Sequence, residues 1–143
     1  RLLELSVLFK NLLRKMTNEW NKRMEDGMSI SQFRTLLVLS EKGPQKTAEL
    51  ADKICLTPGA ITTLADKLIA KGLIERERSE EDRRIVYLRI TEQGQSVLET
   101  LLEKQRETIA QLFRNLSDED IDHLQRIFSH MLDGGEQTDK PVE

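Results

Sequence analysis

The spacing of apolar residues between positions 46 and 91 predicts a helix, a turn, a second helix and a β-hairpin, in that order. The first helix is short, and its apolar stripe consists of Leu50, Ala51 and Ile54. Thr57 and Pro58 are typical of the N-cap and first turn of the second helix, because threonine caps free N–H groups and proline has none to satisfy. The apolar face of the second helix recurs every three or four residues, at Ile61, Leu64, Ala65, Leu68 and Ile69. Gly72 is predicted to end this helix.

The opposite face of the second helix is polar, and its residues near the N-terminus are small. It carries Gly59, Thr62, Thr63, Asp66, Lys67 and Ala70. Such a face is open enough for a helix to approach a DNA groove, although a solvated surface helix would have the same pattern. The order helix, turn, helix and charged hairpin favours the DNA interpretation. In that hairpin, residues 74–78 and 85–90 read as two β-strands, and the charged residues 79–84 form the loop.

Two further helices are predicted before this central segment. Residues 1–25 have an apolar side chain at every third or fourth position, which predicts one long amphipathic helix ending at residues 26–27. Ser29 followed by Gln32 is a capping-box pattern and opens the next helix, which Gly43 and Pro44 stop.

Two more helices are predicted after the hairpin. Thr91 is the expected N-cap of a long helix. Ser117 with Asp120 has the capping pattern of a last helix. Residues 133–135 contain two glycines and are predicted to end it, leaving residues 133–143 as a flexible polar tail.

The outer helices predict a dimer. Residues 29–91 complete a compact winged helix, so the apolar stripes of residues 1–25 and 95–132 must be covered by each other or by a second copy. A larger monomeric bundle is the alternative, and we favour a homodimer. The predicted fold class is therefore mainly α with a small β-hairpin wing (α+β), a winged helix-turn-helix core flanked by dimerisation helices within one domain, residues 1–143.

Five segments of the chain resemble the MarR family of winged-helix transcriptional regulators. They are residues 56–62 (LTPGAIT), 66–68 (DKL), 71–76 (KGLIER), 82–84 (DRR) and 88–94 (LRITEQG). The resemblance covers nearly the whole chain, because helices of the expected lengths flank these segments. It implies a homodimer that binds double-stranded DNA with a recognition helix in the major groove and a wing in the minor groove.

The resemblance and the open helix face together define the predicted DNA-binding residues. They are Lys46, Thr57, Pro58, Gly59, Ala60, Thr62, Thr63, Lys67, Arg83 and Arg84. In the family the second arginine of the wing pattern contacts the groove, which implies that role for Arg84, with Asp82 as the residue that orients it. Lys46 departs from the family, in which many members have a serine or threonine helix cap at this position.

Composition and charge modify this picture only slightly. The 143 residues carry a net charge of −3, but residues 42–90 contain ten Lys or Arg and eight Asp or Glu, a net +2. No apolar run approaches the roughly 18 residues that a membrane helix requires, so no membrane association is expected. The single cysteine, Cys55, excludes an internal disulfide, which fits the cytoplasmic location that we expect, and its apolar neighbours predict a buried structural thiol.

Catalysis and metal binding are not predicted. His123 and His130 share one helix face without further ligands at metal-binding spacing, so we expect no metal site, and no cofactor or enzyme motif is visible.

The family implies a small aromatic or phenolic effector, for which Trp20, Phe33 and Phe113 are the expected lining, with ordinary core packing as the alternative. The resemblance implies a ligand-responsive repressor. A winged-helix module that binds protein, and a metal or thiol sensor on the same scaffold, stay open as alternatives.

Overall fold

The computed structural model describes residues 1–24 and 27–138. In this part of the chain the elements are α1 (Leu2–Arg23), α2 (Ile30–Lys42), β1 (Gln45–Lys46), α3 (Thr47–Ile54), α4 (Pro58–Ala70), β2 (Ile74–Arg78), β3 (Val86–Ile90), α5 (Glu92–Leu112) and α6 (Asp118–Thr138). The fold is mainly α with a small antiparallel sheet, as predicted. Backbone contacts divide the chain into two compact units, Arg1–Thr108 and Ile109–Glu143. Each unit is described by itself, and the single-domain organisation stays a prediction.

Helix α1 is nearly as long as predicted. It ends at Arg23, two residues before the predicted end, because Met24 turns to extended backbone while its N–H still bonds to the carbonyl of Trp20. Residue 25 of the predicted helix and residue 26 of its predicted stop lie outside the described residues. No helix in the described ranges is both long and apolar enough to cross a membrane.

The core of the first unit forms between α2, α3, α4, the sheet and the start of α5. Its fully buried large apolar side chains are Leu36, Leu39, Leu50, Ile61, Leu68, Ile74, Leu88 and Leu98. The capping box of Ser29 and Gln32 is present, so the local signal that predicted α2 is confirmed. The predicted stripes of α3 and α4 are buried, apart from Ile69, which is half-buried.

The sheet has three strands in the order β1-β3-β2, one more than predicted. β1 contains only two residues, too few for an alternating pattern, and it forms by pairing Gln45 with Leu88. The prediction that the last strand begins at Ile85 is also wrong by one residue. Ile85 closes the preceding turn instead, because its N–H bonds to the Asp82 carbonyl and its own carbonyl accepts from the Ser79 N–H.

A tight joint connects the end of α4, the start of β2 and the start of α5. The Thr91 hydroxyl donates to the Gly72 carbonyl at 2.7 Å and accepts from the Gly94 N–H at 3.0 Å, which confirms Thr91 as the N-cap. The Thr91 N–H also bonds to the Leu73 carbonyl at 3.0 Å. Gly72 has φ +76°, the left-handed conformation expected where it ends α4. A Cβ on Gly94 would lie 2.0 Å from the Leu73 carbonyl oxygen, so only glycine fits there.

In the second unit, helix α6 is longer than predicted. The capping interactions of Ser117 and Asp120 are both present, which confirms its start. The prediction that residues 133–135 end it is wrong, because α6 continues to Thr138. Glycine inside a helix costs about 1 kcal/mol relative to alanine but does not exclude helical backbone. The predicted tail is thus helical to residue 138, and its last five residues lie outside the described range.

The buried stripe of α4 makes a stability prediction. Leu68 is fully buried, and truncation to alanine should leave a cavity that the close-packed core cannot fill. We therefore expect Leu68→Ala to lower the free energy of unfolding by about 2–5 kcal/mol in urea titrations.

Thr63→Ala is the matched control on the exposed face of the same helix. It should change the free energy of unfolding by no more than about 0.5 kcal/mol. Equal losses in the two variants would contradict the assignment of buried and open faces.

Candidate nucleic-acid interface

The local sequence fixes where α4 begins, the helix that sequence analysis predicts to be the recognition helix and that we call by that name below. The Thr57 side chain accepts a hydrogen bond from the Ala60 N–H at 3.2 Å, and Pro58 occupies the first turn. Both features agree with the prediction. A capped start with proline in its first turn restricts the helix end to one conformation.

The predicted open face of the recognition helix is exposed along its whole length. This holds for Gly59, Thr62, Thr63, Asp66, Lys67 and Ala70, and also for Thr57, Pro58 and Ala60 at the helix start. The hydroxyls of Thr62 and Thr63 donate to carbonyls one turn earlier, at 2.9 and 3.2 Å. A Cβ on Gly59 would meet nothing within 4 Å, so the fold itself leaves space at the helix start.

Lys46 lies exposed at the N-cap of α3. Its ammonium group cannot accept a hydrogen bond, so it cannot cap the helix as serine or threonine would. Glu49 provides the reciprocal half of a capping box, because its carboxylate accepts from the Lys46 N–H at 3.0 Å. This contact stabilises the start of α3 although the usual cap residue is absent, and it leaves the lysine side chain in solvent.

At the tip of the β2–β3 hairpin, Asp82 holds Arg84 by three hydrogen bonds. The guanidinium donates from Nε to Oδ1 and from Nη2 to Oδ2, each at 3.1 Å, and the Arg84 backbone N–H donates to Oδ1 at 3.0 Å. The side-chain hydrogen bonds from Arg84, followed by the backbone one, hold the pKa of Asp82 below its ordinary value of 3.8. The contact is therefore complete above pH 3.8 and is lost as the pH falls through the lowered pKa.

The rest of the tip is also ordered by local contacts. Arg78 donates from Nη1 to the Arg83 carbonyl at 2.8 Å, and the Ser79 hydroxyl accepts from the Asp82 N–H at 3.3 Å. Arg84 nevertheless has a side chain that is 91% exposed. The hairpin thus presents an oriented but accessible guanidinium at its tip.

The structure adds an ion pair that sequence analysis did not identify. Arg76 on β2 donates from Nη2 to Oδ1 of Asp66 on the recognition helix at 2.7 Å. The two residues are ten positions apart, so no helical or strand spacing relates them. A second arginine, Arg89, bonds to Glu75 and Glu77, which the strand register places on the opposite face of the sheet.

The predicted buried thiol is wrong. Cys55 is exposed, because it occupies the C-cap of α3 in the left-handed conformation with φ 57°. His123 and His130 are exposed as well, and His123 lies 3.7 Å from Glu119. Within the described residues no three His, Cys, Asp or Glu side chains are grouped as metal ligands would be.

The three residues predicted to line an effector pocket belong to different units. Trp20 and Phe33 pack against each other in the core of the first unit, with ring centroids 5.0 Å apart. For these two, ordinary core packing is what the structure shows. Phe113 belongs to the second unit, where it contributes to an apolar groove of about 580 Å³. The other lining residues of this groove are Ile109, Ala110, Ile121, Leu124, Gln125 and Phe128.

The first unit contains a cavity of about 470 Å³ beside the joint formed by Thr91 and Gly94. Its lining residues are Met28, Lys71, Leu73, Gln93, Val97, Thr100, Leu101 and Lys104. Apolar side chains therefore meet two lysines in this cavity. Neither Trp20 nor Phe33 lines it.

An exposed, capped recognition helix followed by a hairpin with a charged tip defines a winged helix-turn-helix protein. Similarity to three known proteins supports this class. The chain is 34% identical to the HTH-type transcriptional regulator YpoP of Bacillus subtilis over 128 residues, which are 90% of this chain and 91% of that protein. It is 30% identical to the transcriptional repressor MprA of Escherichia coli over 131 residues, 90% of this chain and 74% of that protein.

The crystal structure of the transcriptional regulator BldR from Sulfolobus solfataricus is also similar. It is 33% identical, covers 90% of this chain and 94% of its own, and has a TM-score of 0.70. The sequence model of the MarR family matches residues 28–86. The chain belongs to the MarR family of DNA-binding transcriptional regulators, which are not enzymes.

Proposed function

We propose that this protein is a ligand-responsive repressor that binds a pseudo-palindromic operator as a homodimer in the cytoplasm. The observation that carries the proposal is the pairing of an open recognition helix with an arginine held at the tip of the wing. DNA offers a groove for the first and dense negative charge for the second.

The recognition helix is proposed to enter the major groove by its N-terminal half. Its proposed contacts to base edges and nearby phosphates are Thr57, Pro58, Gly59, Ala60, Thr62, Thr63 and Lys67. All are exposed, and the space around Gly59 supports a close approach of the helix start to DNA. Lys46, exposed at the start of α3, is proposed to contact a phosphate.

The wing is proposed to reach the minor groove through Arg83 and Arg84. A guanidinium is attracted to the narrow minor groove, where the potential of DNA is most negative. Asp82 would keep Arg84 in one orientation before binding, which reduces the entropy lost on contact with DNA.

Exposed apolar side chains in both units support the homodimer. In α1 they are Leu2, Leu3, Leu5, Val7, Leu8, Phe9, Leu12, Leu13 and Met16, with exposures from 39 to 82%. In the second unit they include Ile121, Ile127, Phe128, Met131 and Leu132. Apolar surface of this extent is typical of a protein interface, and we propose that a second copy covers it. Two-fold symmetry would then match operator half-sites about 10 base pairs apart, or a multiple of that distance.

The repressor and effector parts of the proposal have separate support. The related protein MprA is named a transcriptional repressor. The cavity beside the joint combines apolar walls with Lys71 and Lys104, which suits a small aromatic anion. An occupant would touch Leu73 and Gln93, next to the end of the recognition helix, and could therefore change how that helix is held.

Three alternatives are each tested by a simple measurement. A winged-helix module that binds protein would show no salt-dependent binding to promoter DNA. A thiol sensor has some support in the exposure of Cys55, and loss of DNA binding after mild oxidation would favour it. Metal analysis of the purified protein addresses the metal-sensor alternative.

The first prediction from the proposed function concerns the wing. Arg84→Ala should weaken binding to DNA from beside the protein's own gene, because one phosphate contact per subunit is lost. The slope of log K against log salt should become shallower by about 0.9 per contact, or about 1.8 for a dimer. The melting temperature should not change, since Arg84 is exposed.

Arg106→Ala is the matched control, because Arg106 is also exposed and paired with an acid, Glu103, but lies on α5. It should leave the salt slope unchanged. An unaltered affinity and slope in Arg84→Ala would remove the wing from the proposed interface.

The dimer makes the second prediction. Leu8→Glu places a charge on the exposed apolar face of α1 and should shift sedimentation from the dimer towards the monomer, because a buried unpaired carboxylate is costly. Thr17→Glu adds the same charge on the opposite side of the helix and should leave the dimer intact. A wild-type protein that sediments as a monomer at micromolar concentration would contradict the proposal.

The cavity makes the third prediction. Millimolar salicylate should weaken operator binding, and Lys104→Gln should reduce this effect because it removes a cation from the cavity wall. Lys42 is an exposed lysine at the end of α2, and the control variant Lys42→Gln should respond to salicylate like the wild type. If small aromatic acids never weaken operator binding at millimolar concentration, this cavity is not the effector site.

A further inference from the structure

The ion pair between the recognition helix and β2 suggests a further DNA contact. Asp66 is the single acidic residue of α4 and lies one turn beyond Thr62 on the open face. A carboxylate on a surface that approaches DNA is repelled by phosphates unless a cation accompanies it. Arg76 is that cation, 2.7 Å away.

The sheet register explains how Arg76 reaches this face. Arg76 is directly opposite Leu88, so both side chains lie on the same face of the sheet. Leu88 is buried in the core that includes α4, and Arg76 therefore extends beside that helix. Its side chain is still 51% exposed, and that of Asp66 is 59% exposed.

The geometry leaves most of the guanidinium available. Asp66 accepts through one oxygen from Nη2, whereas a guanidinium has five N–H donors in a rigid fork that matches phosphate geometry. A half-exposed ion pair of this kind contributes little to folding. Stabilisation of the fold therefore does not explain why this ion pair lies beside the open face.

We propose, building on the DNA binding proposed above, that Arg76 binds a backbone phosphate between the recognition helix and the wing, and that Asp66 positions it. The helix, Arg76 and the wing tip would then contact DNA in succession. The arrangement at the wing is similar, since Asp82 orients Arg84 there. In both places an acid fixes an exposed arginine in advance.

Arg89 offers a matched control within the same sheet. It has a similar exposure of 45%, but it bonds to two carboxylates, Glu75 and Glu77, on the other face. That group carries a net charge of −1, whereas Arg76 and Asp66 together are neutral. We expect no phosphate contact from Arg89.

The test measures binding at several salt concentrations to two duplexes of equal length, a promoter fragment from beside the protein's own gene and a random sequence. Arg76→Ala should make the slope of log K against log salt shallower by about 0.9 per contact, or about 1.8 for a dimer. It should weaken binding to both duplexes by a similar factor, because phosphate contacts carry no sequence information. Arg76→Gln, which keeps most of the side chain, should show the same loss if Arg76→Ala folds poorly, and Arg89→Ala should match the wild type.

A double variant, Asp66→Asn with Arg76→Ala, separates a phosphate contact from simple neutralisation of Asp66. It should keep the shallower slope of the single variant. Recovery of wild-type affinity and slope in the double variant would overturn the proposal, as would an unchanged slope in Arg76→Ala and Arg76→Gln. If Arg84→Ala makes the slope of log K against log salt shallower and the Arg76 variants leave it unchanged, only this inference fails. If the wild type shows no salt-dependent binding to either duplex, the proposed function itself fails.

Discussion

The close approach of Gly94 to Leu73 is the constraint on which the rest of the first unit depends. At this point Thr91 bonds to Gly72 and Leu73, so the end of the recognition helix, the start of the wing and the start of α5 are fixed to one another. A side chain at position 94 would collide with backbone, which is far less adaptable than a side chain. Because the cavity beside this joint includes Leu73 and Gln93, a ligand there would act on the connection between recognition helix and α5.

Local charge matters more than net charge for the proposed interface. The chain is acidic overall, with a net charge of −3, yet β2 and the wing tip present exposed arginines that carboxylates hold in place. Asp82 and Asp66 lower the total positive charge but restrict the positions of Arg84 and Arg76. Such pairs contribute little to folding when exposed, so their main effect is on the geometry of a contact with a polyanion.

Most of the fold could be predicted because its signals are local. Ser29, Thr57, Thr91 and Ser117 each cap a helix through a side chain that reaches only three residues along the chain, and each was recognisable from sequence. Helical periodicity identified the buried faces of α3 and α4 for the same reason. The wrong predictions have other causes. β1 exists only because Gln45 pairs with Leu88, 43 positions away, and α6 continues through two glycines because no residue there forbids helical backbone.

For the candidate site, the sequence by itself determined the recognition helix, its open face and the acid–arginine pair at the wing tip, since Asp82 and Arg84 are two residues apart. Only the tertiary structure decided the rest. It exposed Cys55 by placing it in a left-handed cap, and it buried Trp20 and Phe33 against each other in the core. It also brought Arg76 to Asp66, because strand register and the packing of a helix on a sheet determine which distant side chains meet. Contacts within one turn follow from the order of residues, whereas contacts between elements depend on how the whole core packs.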